Sequence, residues 1–192
     1  TRESRRSTAN LLAWTCLQAG STEDLERADR HLHELDRAGL VDSPSVLDTR
    51  AVLRLRQGRA TEALEDMHRA LADRRHPEVM EHEAALLVTR ARCHVALGDG
   101  VGSREDFDRA IRLDPTVEGA AALARSVDVL SARAVLGYMA HGGTIRELLD
   151  TRRIDLLEGA ARAVEDQASL SELDVPPLTG AESAAIRESL LG

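Results

Sequence analysis

The sequence predicts an all-α fold made of repeated helix pairs, and three observations lead there. Aromatic residues make up only 2% of the 192-residue chain, and Trp14, Phe107 and Tyr138 are the whole set. A core this poor in rings must be filled by Leu, Ala and Val, which suits closely approaching helices better than strands. Second, the chain matches itself at a spacing of 40 residues: Leu47 with Leu87, Thr49-Arg50-Ala51 with Thr89-Arg90-Ala91, and Gly58 with Gly98. The match continues as Glu65-Asp66-Met67-His68-Arg69-Ala70-Leu71 with Glu105-Asp106-Phe107-Asp108-Arg109-Ala110-Ile111, and Ala63 corresponds to Ser103. Third, apolar residues recur at helical rather than alternating spacing between glycine stops.

Each element follows from its own pattern. Leu11, Leu12, Ala13, Trp14 and Leu17 lead to Gly20, and Leu25, Ala28, Leu32 and Leu35 then lie on one helical face. In the second pair Leu47, Ala51 and Leu55 step by four up to Gly58, which accepts φ > 0 without a Cβ clash and so ends the helix. Ala63, Met67, Ala70 and Leu71 form its partner. The third pair runs through Leu87, Ala91 and Val95 to Gly98, then Phe107, Ala110 and Ile111, and stops at Leu113-Asp114-Pro115. The connections between pairs are read at Ala38–Pro44 and Asp73–Glu81.

The spacing of Ala91, Gly98, Phe107, Ala110 and Pro115, repeated by Leu47, Ala51, Gly58, Ala63 and Ala70, resembles the consensus of the tetratricopeptide repeat (TPR) family. The resemblance covers roughly residues 7–115 and about three repeats. The spacings of 38 and 40 exceed the usual period of about 34, and the second and third units lack the consensus tryptophan. The resemblance implies a short α-solenoid of helix-turn-helix repeats over residues 1–115, with residues 116–192 as a helical C-terminal extension capping the array.

In that extension, Val117, Ala120, Ala124, Val127 and Leu130 mark a helix read from Thr116 to Ala140, broken at Gly142-Gly143. Thr144 with Glu147 is a capping box opening a helix through Val164, with Ile145, Leu148, Leu149, Leu156 and Leu157 on its buried side. Asp166 to Pro177 reads as a loop. Thr179 with Glu182 makes a second capping box, and Ala185, Ile186 and Leu190 give the last helix an apolar side. That helix is expected to pack on its own chain, with docking on a second copy, and hence a homo-oligomer, as the alternative.

The formal net charge of −8 argues against nucleic-acid binding through phosphates. All 25 basic residues are arginine, as expected of a GC-rich bacterial genome. No run of 18 apolar residues exists, so no membrane insertion is expected. Cys16 and Cys93 make neither a disulfide framework nor a metal-ligand spacing, which points to a reducing, cytoplasmic setting. The chain begins at Thr1 rather than Met, as expected of a trimmed or processed product.

No catalytic signature is present: HExxH, GxxxxGK[ST] and GxSxG are all missing from the sequence. Gly98, Gly100 and Gly102 form a G-x-G-x-G run, but it joins two helices and lacks the preceding strand that a phosphate loop needs. His31 and His33, two apart, diverge around a helix, and His76 and His82 with Glu81 and Glu83 read as solvated loop residues. No enzyme, cofactor or metal is therefore expected.

In a TPR-like array the first helices of successive repeats line a concave surface, so the resemblance implies a protein or peptide partner. Off the packing stripe, these helices carry Asn10, Trp14 and Gln18, then Asp48, Val52 and Arg56, then Arg92 and Ala96. The family's terminal-carboxylate clamp of Lys and Asn is not matched: the corresponding places hold Asn10, Trp14, Thr49, Ala85 and Thr89. The expected function is a non-catalytic interaction module. A regulatory segment of a larger protein and a self-assembling structural module are the alternatives.

Overall fold

A computed structural model describes residues 1–150, 153–165 and 176–191, and these residues are helical with no strand among them. The helices are α1 (Arg2–Ala19), α2 (Thr22–Arg37), α3 (Pro44–Arg56), α4 (Ala60–Ala70), α5 (Pro77–Ala96), α6 (Gly100–Leu113), α7 (Ala120–Ala140), α8 (Ile145–Asp150), α9 (Ile154–Glu165) and α10 (Gly180–Leu191). The chain divides into two compact units, Thr1–Cys93 and His94–Gly192.

In the first unit α1 pairs with α2, α3 pairs with α4, and α1 also lies along α3. Ala13 and Leu17 of α1, Ala28, Leu32 and Leu35 of α2, and Val46, Val52 and Leu53 of α3 form one buried apolar cluster with Val41. Steps of three and four along α1 and α2 put their members of the cluster on one side of each helix. Small residues let the helix axes approach: Ala13, Ala28, Ala51 and Ala63 are fully buried.

The glycine stops are where the sequence puts them. Gly58 and Gly98 take φ of 72° and 74°. Each closes its helix in the same way: Arg59 N donates to Arg54 O at 2.8 Å, and Asp99 N to His94 O at 2.9 Å. This bond, reaching back five residues, satisfies a carbonyl left open at the helix end. The repeated positions are buried alike in both copies: Leu47 and Leu87, Thr49 and Thr89, Ala51 and Ala91, Asp66 and Asp106, Ala63 and Ser103.

Asp66, almost fully buried, holds α4 to α3. Arg50 Nε and Nη2 donate to its two oxygens at 2.8 and 2.6 Å, and Arg54 Nη1 adds a third bond. The fork geometry matches a guanidinium to both carboxylate oxygens at once.

In the second unit α7 is the central helix, packing against α6, α9 and α10. Gly100 of α6 lies so close to the Leu130 carbonyl of α7 that a Cβ there would overlap it. The glycines of the G-x-G-x-G run are thus a helix stop at Gly98 and a close helix approach at Gly100. Arg104, 1% exposed, is satisfied on every side. Its Nε donates to Ser131 Oγ at 3.2 Å, Nη1 to Asp108 at 3.2 Å and Nη2 to Asp128, and its guanidinium lies 5.6 Å from the Phe107 ring. Arg162 reaches the same Asp128 at 3.2 Å.

Both capping boxes form. Thr144 N donates to Glu147 Oε2 at 2.8 Å, with the return bond from Glu147 N to Thr144 Oγ1 at 3.2 Å. Thr179 N donates to Glu182 Oε2 at 2.7 Å, with its return bond at 3.2 Å. Helix α10 packs on α7 and α9 of its own chain and buries Ile186 completely.

Three boundaries differ from the sequence reading. Helix α7 starts at Ala120, not Thr116, because Gly119 adopts φ of 82° and turns the chain just before it. The stretch read as one helix over 145–164 is two, α8 and α9. Helix α5 begins at Pro77 and is kinked at His82, so Glu78 and Glu81 are helical rather than part of a connection. Most of the loop read at Asp166–Pro177, residues 166–175, lies outside the described residues.

Candidate functional site

The first helices of the pairs in the first unit, α1 and α3, and the part of α5 that belongs to it share one polar seam. Glu78 of α5 organises one end. Its carboxylate accepts from Arg6 Nη2 of α1 at 3.2 Å and from Ser45 N, in the first turn of α3, at 3.0 Å. Ser43, the N-cap of α3, makes no side-chain cap bond, so Glu78 provides the anionic acceptor that this helix end would otherwise lack. At the other end Arg56 Nη1 of α3 donates to Leu17 O in the last turn of α1, a cationic cap on open carbonyls.

Between these ties lie most of the residues singled out from the sequence. Asn10 is half-buried and its Nδ2 donates to Ser45 O at 3.4 Å. Trp14, one turn further along α1, is half-buried and packs against the apolar cluster. Gln18 is exposed. Asp48 is half-buried, and burial raises its carboxyl from the ordinary range to about 6, opposed by hydrogen bonding from Thr89 and by the charges of Arg92 and His82. Val52 belongs to the apolar core. Arg92 is half-buried and faces Asp48 electrostatically. Ala96 is exposed and belongs to the second unit.

The seam therefore brings Asn10 to α3, and Asp48 to Thr89, Arg92 and His82 of α5. It assigns Val52 to packing and Arg56 to capping. Sequence reasoning missed Arg6 and Glu78, and it placed His82 in a loop. The proline of His76-Pro77, standing as Pro44 does at the start of α3, was the signal for an earlier helix start.

Two oxygens on this seam are unusual. Asn10 Oδ1 and Asp48 Oδ1 are buried and accept no hydrogen bond among the described residues. The orientation of the Asn10 amide is fixed by its neighbour, since a flipped amide would set its oxygen against the Ser45 carbonyl.

A cavity of about 150 Å³ in the first unit is lined by Arg50, Arg54, Asp29 and Asp36, but Arg50 and Arg54 are held by Asp66. No group of three or more His, Cys, Asp or Glu residues disposed to hold a metal occurs among the described residues. No helix among them is long and apolar enough to cross a membrane. No family model, curated protein or solved structure matches this chain.

Proposed function

We propose that this chain is a non-catalytic protein-interaction module of the TPR type, which binds a peptide or protein segment along the face formed by its first helices. The array in this reading spans residues 1–115, with 116–192 as its helical cap. The observation that carries it is the seam across α1, α3 and α5. Along these three helices Asn10, Asp48 and Arg92 lie between the Glu78 ties at one end and the Arg56 cap at the other. A surface meant only for solvent has no need to hold Asn10, Asp48 and Arg92 half-buried beside a tryptophan, whereas interfaces favour such a mixture.

The two buried arginine–aspartate centres, Arg50–Asp66 and Arg104–Asp128, are already saturated by their own neighbours, which supports a structural role for them. The apolar side of α10 is used within its own unit, which favours an interaction module over assembly through that helix.

The test is affinity capture from lysate of the native host, comparing the unaltered chain with a Gln18→Ala/Arg92→Ala variant that keeps Trp14 and the Arg56 cap in place. A protein held by the unaltered chain and lost by the variant, with helicity unchanged by circular dichroism, supports the seam as the interface. Equal retention by both places the interface elsewhere.

A further inference from the structure

We propose that the second unit holds a binding site for a small, uncharged, largely apolar molecule, in a recess framed by α6, α7, α8 and α9. The site lies in that unit alone and stands apart from the interaction reading above.

The recess has the size and lining of a ligand site. Its volume is about 500 Å³, within the roughly 300–1,000 Å³ of small-molecule pockets. Val101 of α6, Ala134 and Gly137 of α7, Leu148 of α8 and Leu156 of α9 make its walls apolar. Tyr138 adds an aromatic wall and is held in place. Its ring lies against Gly143, where a Cβ would overlap it, and its hydroxyl donates to Glu147 Oε2 at 3.3 Å. The recess opens to solvent, with Val101 37% and Tyr138 40% exposed. Water against such walls is unfavourable, and an apolar guest releases it.

Gly137 keeps the space open. Glycine is the poorest helix former after proline, and within α6 and α9 the glycines answer to packing. At Gly100, Gly102 and Gly159 a Cβ would overlap a neighbour. Gly137, inside α7, has an ordinary φ, and a Cβ there would meet nothing within 4 Å among the described residues. Neither a turn nor a close approach requires it, and the missing side chain leaves room for a guest.

Charge selects an uncharged guest. Among the described lining residues Arg153 is the one permanent charge, and it is matched within the unit. Its Nε and Nη2 donate to Asp155 at 3.2 and 2.9 Å, and its Nη1 to Glu105 at 3.1 Å. An anionic guest would compete with those two carboxylates for one guanidinium. A cationic guest meets no carboxylate among the described lining residues. His141 donates from Nδ1 to Gly137 O at 2.7 Å, so its ring is tied to α7. Burying an unpaired charge is costly, and a neutral guest avoids that cost.

The experiment titrates the full chain with phenylnaphthylamine, an uncharged probe whose fluorescence rises in apolar surroundings, while light scattering follows the particle mass. We expect a single saturable site per chain. Gly137→Leu, which fills the recess, and Val101→Glu, which sets a charge at its mouth, should each weaken binding about tenfold or more with helicity unchanged by circular dichroism. Gly180→Leu adds the same side chain at the start of α10, where a Cβ also meets nothing within 4 Å, and should bind as the unaltered chain does. Leucine forms helix better than glycine, so Gly137→Leu should melt no lower than the unaltered chain; a lower melting temperature would mean that the space is not open. Naphthylmethanol should displace the probe at an about tenfold lower concentration than naphthoate or naphthylmethylammonium. Absence of saturable binding, or undiminished binding by either recess variant, would overturn the site, and a charged competitor preferred over the alcohol would overturn its chemistry. Probe uptake per chain that falls as particles double in mass would assign the recess to a second copy instead.

Discussion

Replacing Asp48 by Asn should make the protein more stable at neutral pH, and the pH dependence of the gain identifies its cause. A carboxyl whose pKa is raised on folding binds its proton more tightly in the folded state. Between the unfolded value near 3.8 and the folded value of about 6, stability therefore falls as pH rises, and the full cost is present above the folded pKa. At 1.36 kcal/mol per pKa unit that cost is about 3 kcal/mol at pH 8, and it shrinks to roughly 0.5 kcal/mol near pH 4. Asn keeps the shape and carries no charge to desolvate. Urea unfolding followed by circular dichroism at pH 4, 6 and 8 should show the Asn variant gaining on the unaltered chain step by step as pH rises, with little difference at pH 4. A variant destabilised equally at all three pH values would refute the reasoning, because it would mean that Asp48 holds the fold together through ordinary hydrogen bonds.

The remaining predictions concern the scaffold. Asp66→Asn should cost about 2–4 kcal/mol in urea unfolding, since it strips the shared anion from Arg50 and Arg54, which lie 14% and 19% exposed and can only partly turn to water; a change within about 0.5 kcal/mol would show that the arginines re-pair freely. Ala51→Phe or Ala91→Phe should overpack fully buried positions and cost about 1–3 kcal/mol, and wild-type melting in both would mean that the 40-residue register does not describe the packing. Deleting residues 178–192 removes Ile186 from the core of the second unit and the Arg133–Glu182 ion pair. It should lower the melting temperature without changing the number of protomers per particle measured by light scattering; a change in that number would reopen assembly through that helix.

Much of this fold was legible because its rules are local. A glycine that must turn left-handed, a Thr three residues before Glu, and apolar residues stepping by three and four all act within one or two turns. Gly58, Gly98, Thr144 and Thr179 behave as their neighbours in sequence require. The missed boundaries share a different cause. Gly119 lies in the middle of an apolar pattern that reads as continuous helix from Thr116, and only its φ of 82° shows the turn. Residues 77–81 read as the end of a connection, yet they are helical because Pro77 starts the helix, Val79 is buried, and Glu78 is held from two sides by Arg6 and Ser45 N. Those partners lie 72 and 33 residues away in sequence, a distance at which periodicity carries no information.

The site divides along the same line. Periodicity names the off-stripe residues only in part: Asn10, Asp48 and Arg92 are half-buried along α1, α3 and α5, while Val52 belongs to the apolar core and Trp14 packs against it. What each does there depends on partners that no local pattern announces. Arg56 and Arg92 look alike in sequence, both arginines near the end of a first helix. One is consumed in capping the carbonyl of Leu17, while the other stands beside a carboxylate whose Oδ1 meets no donor among the described residues. Likewise Asp48 and Asp66 are both carboxylates in helices of one repeat. Asp66 is met by two guanidinium groups within the fold. Asp48 is buried, and its desolvation outweighs the help of Thr89, Arg92 and His82, so the residue type that ties α4 to α3 at Asp66 is a cost to the fold here.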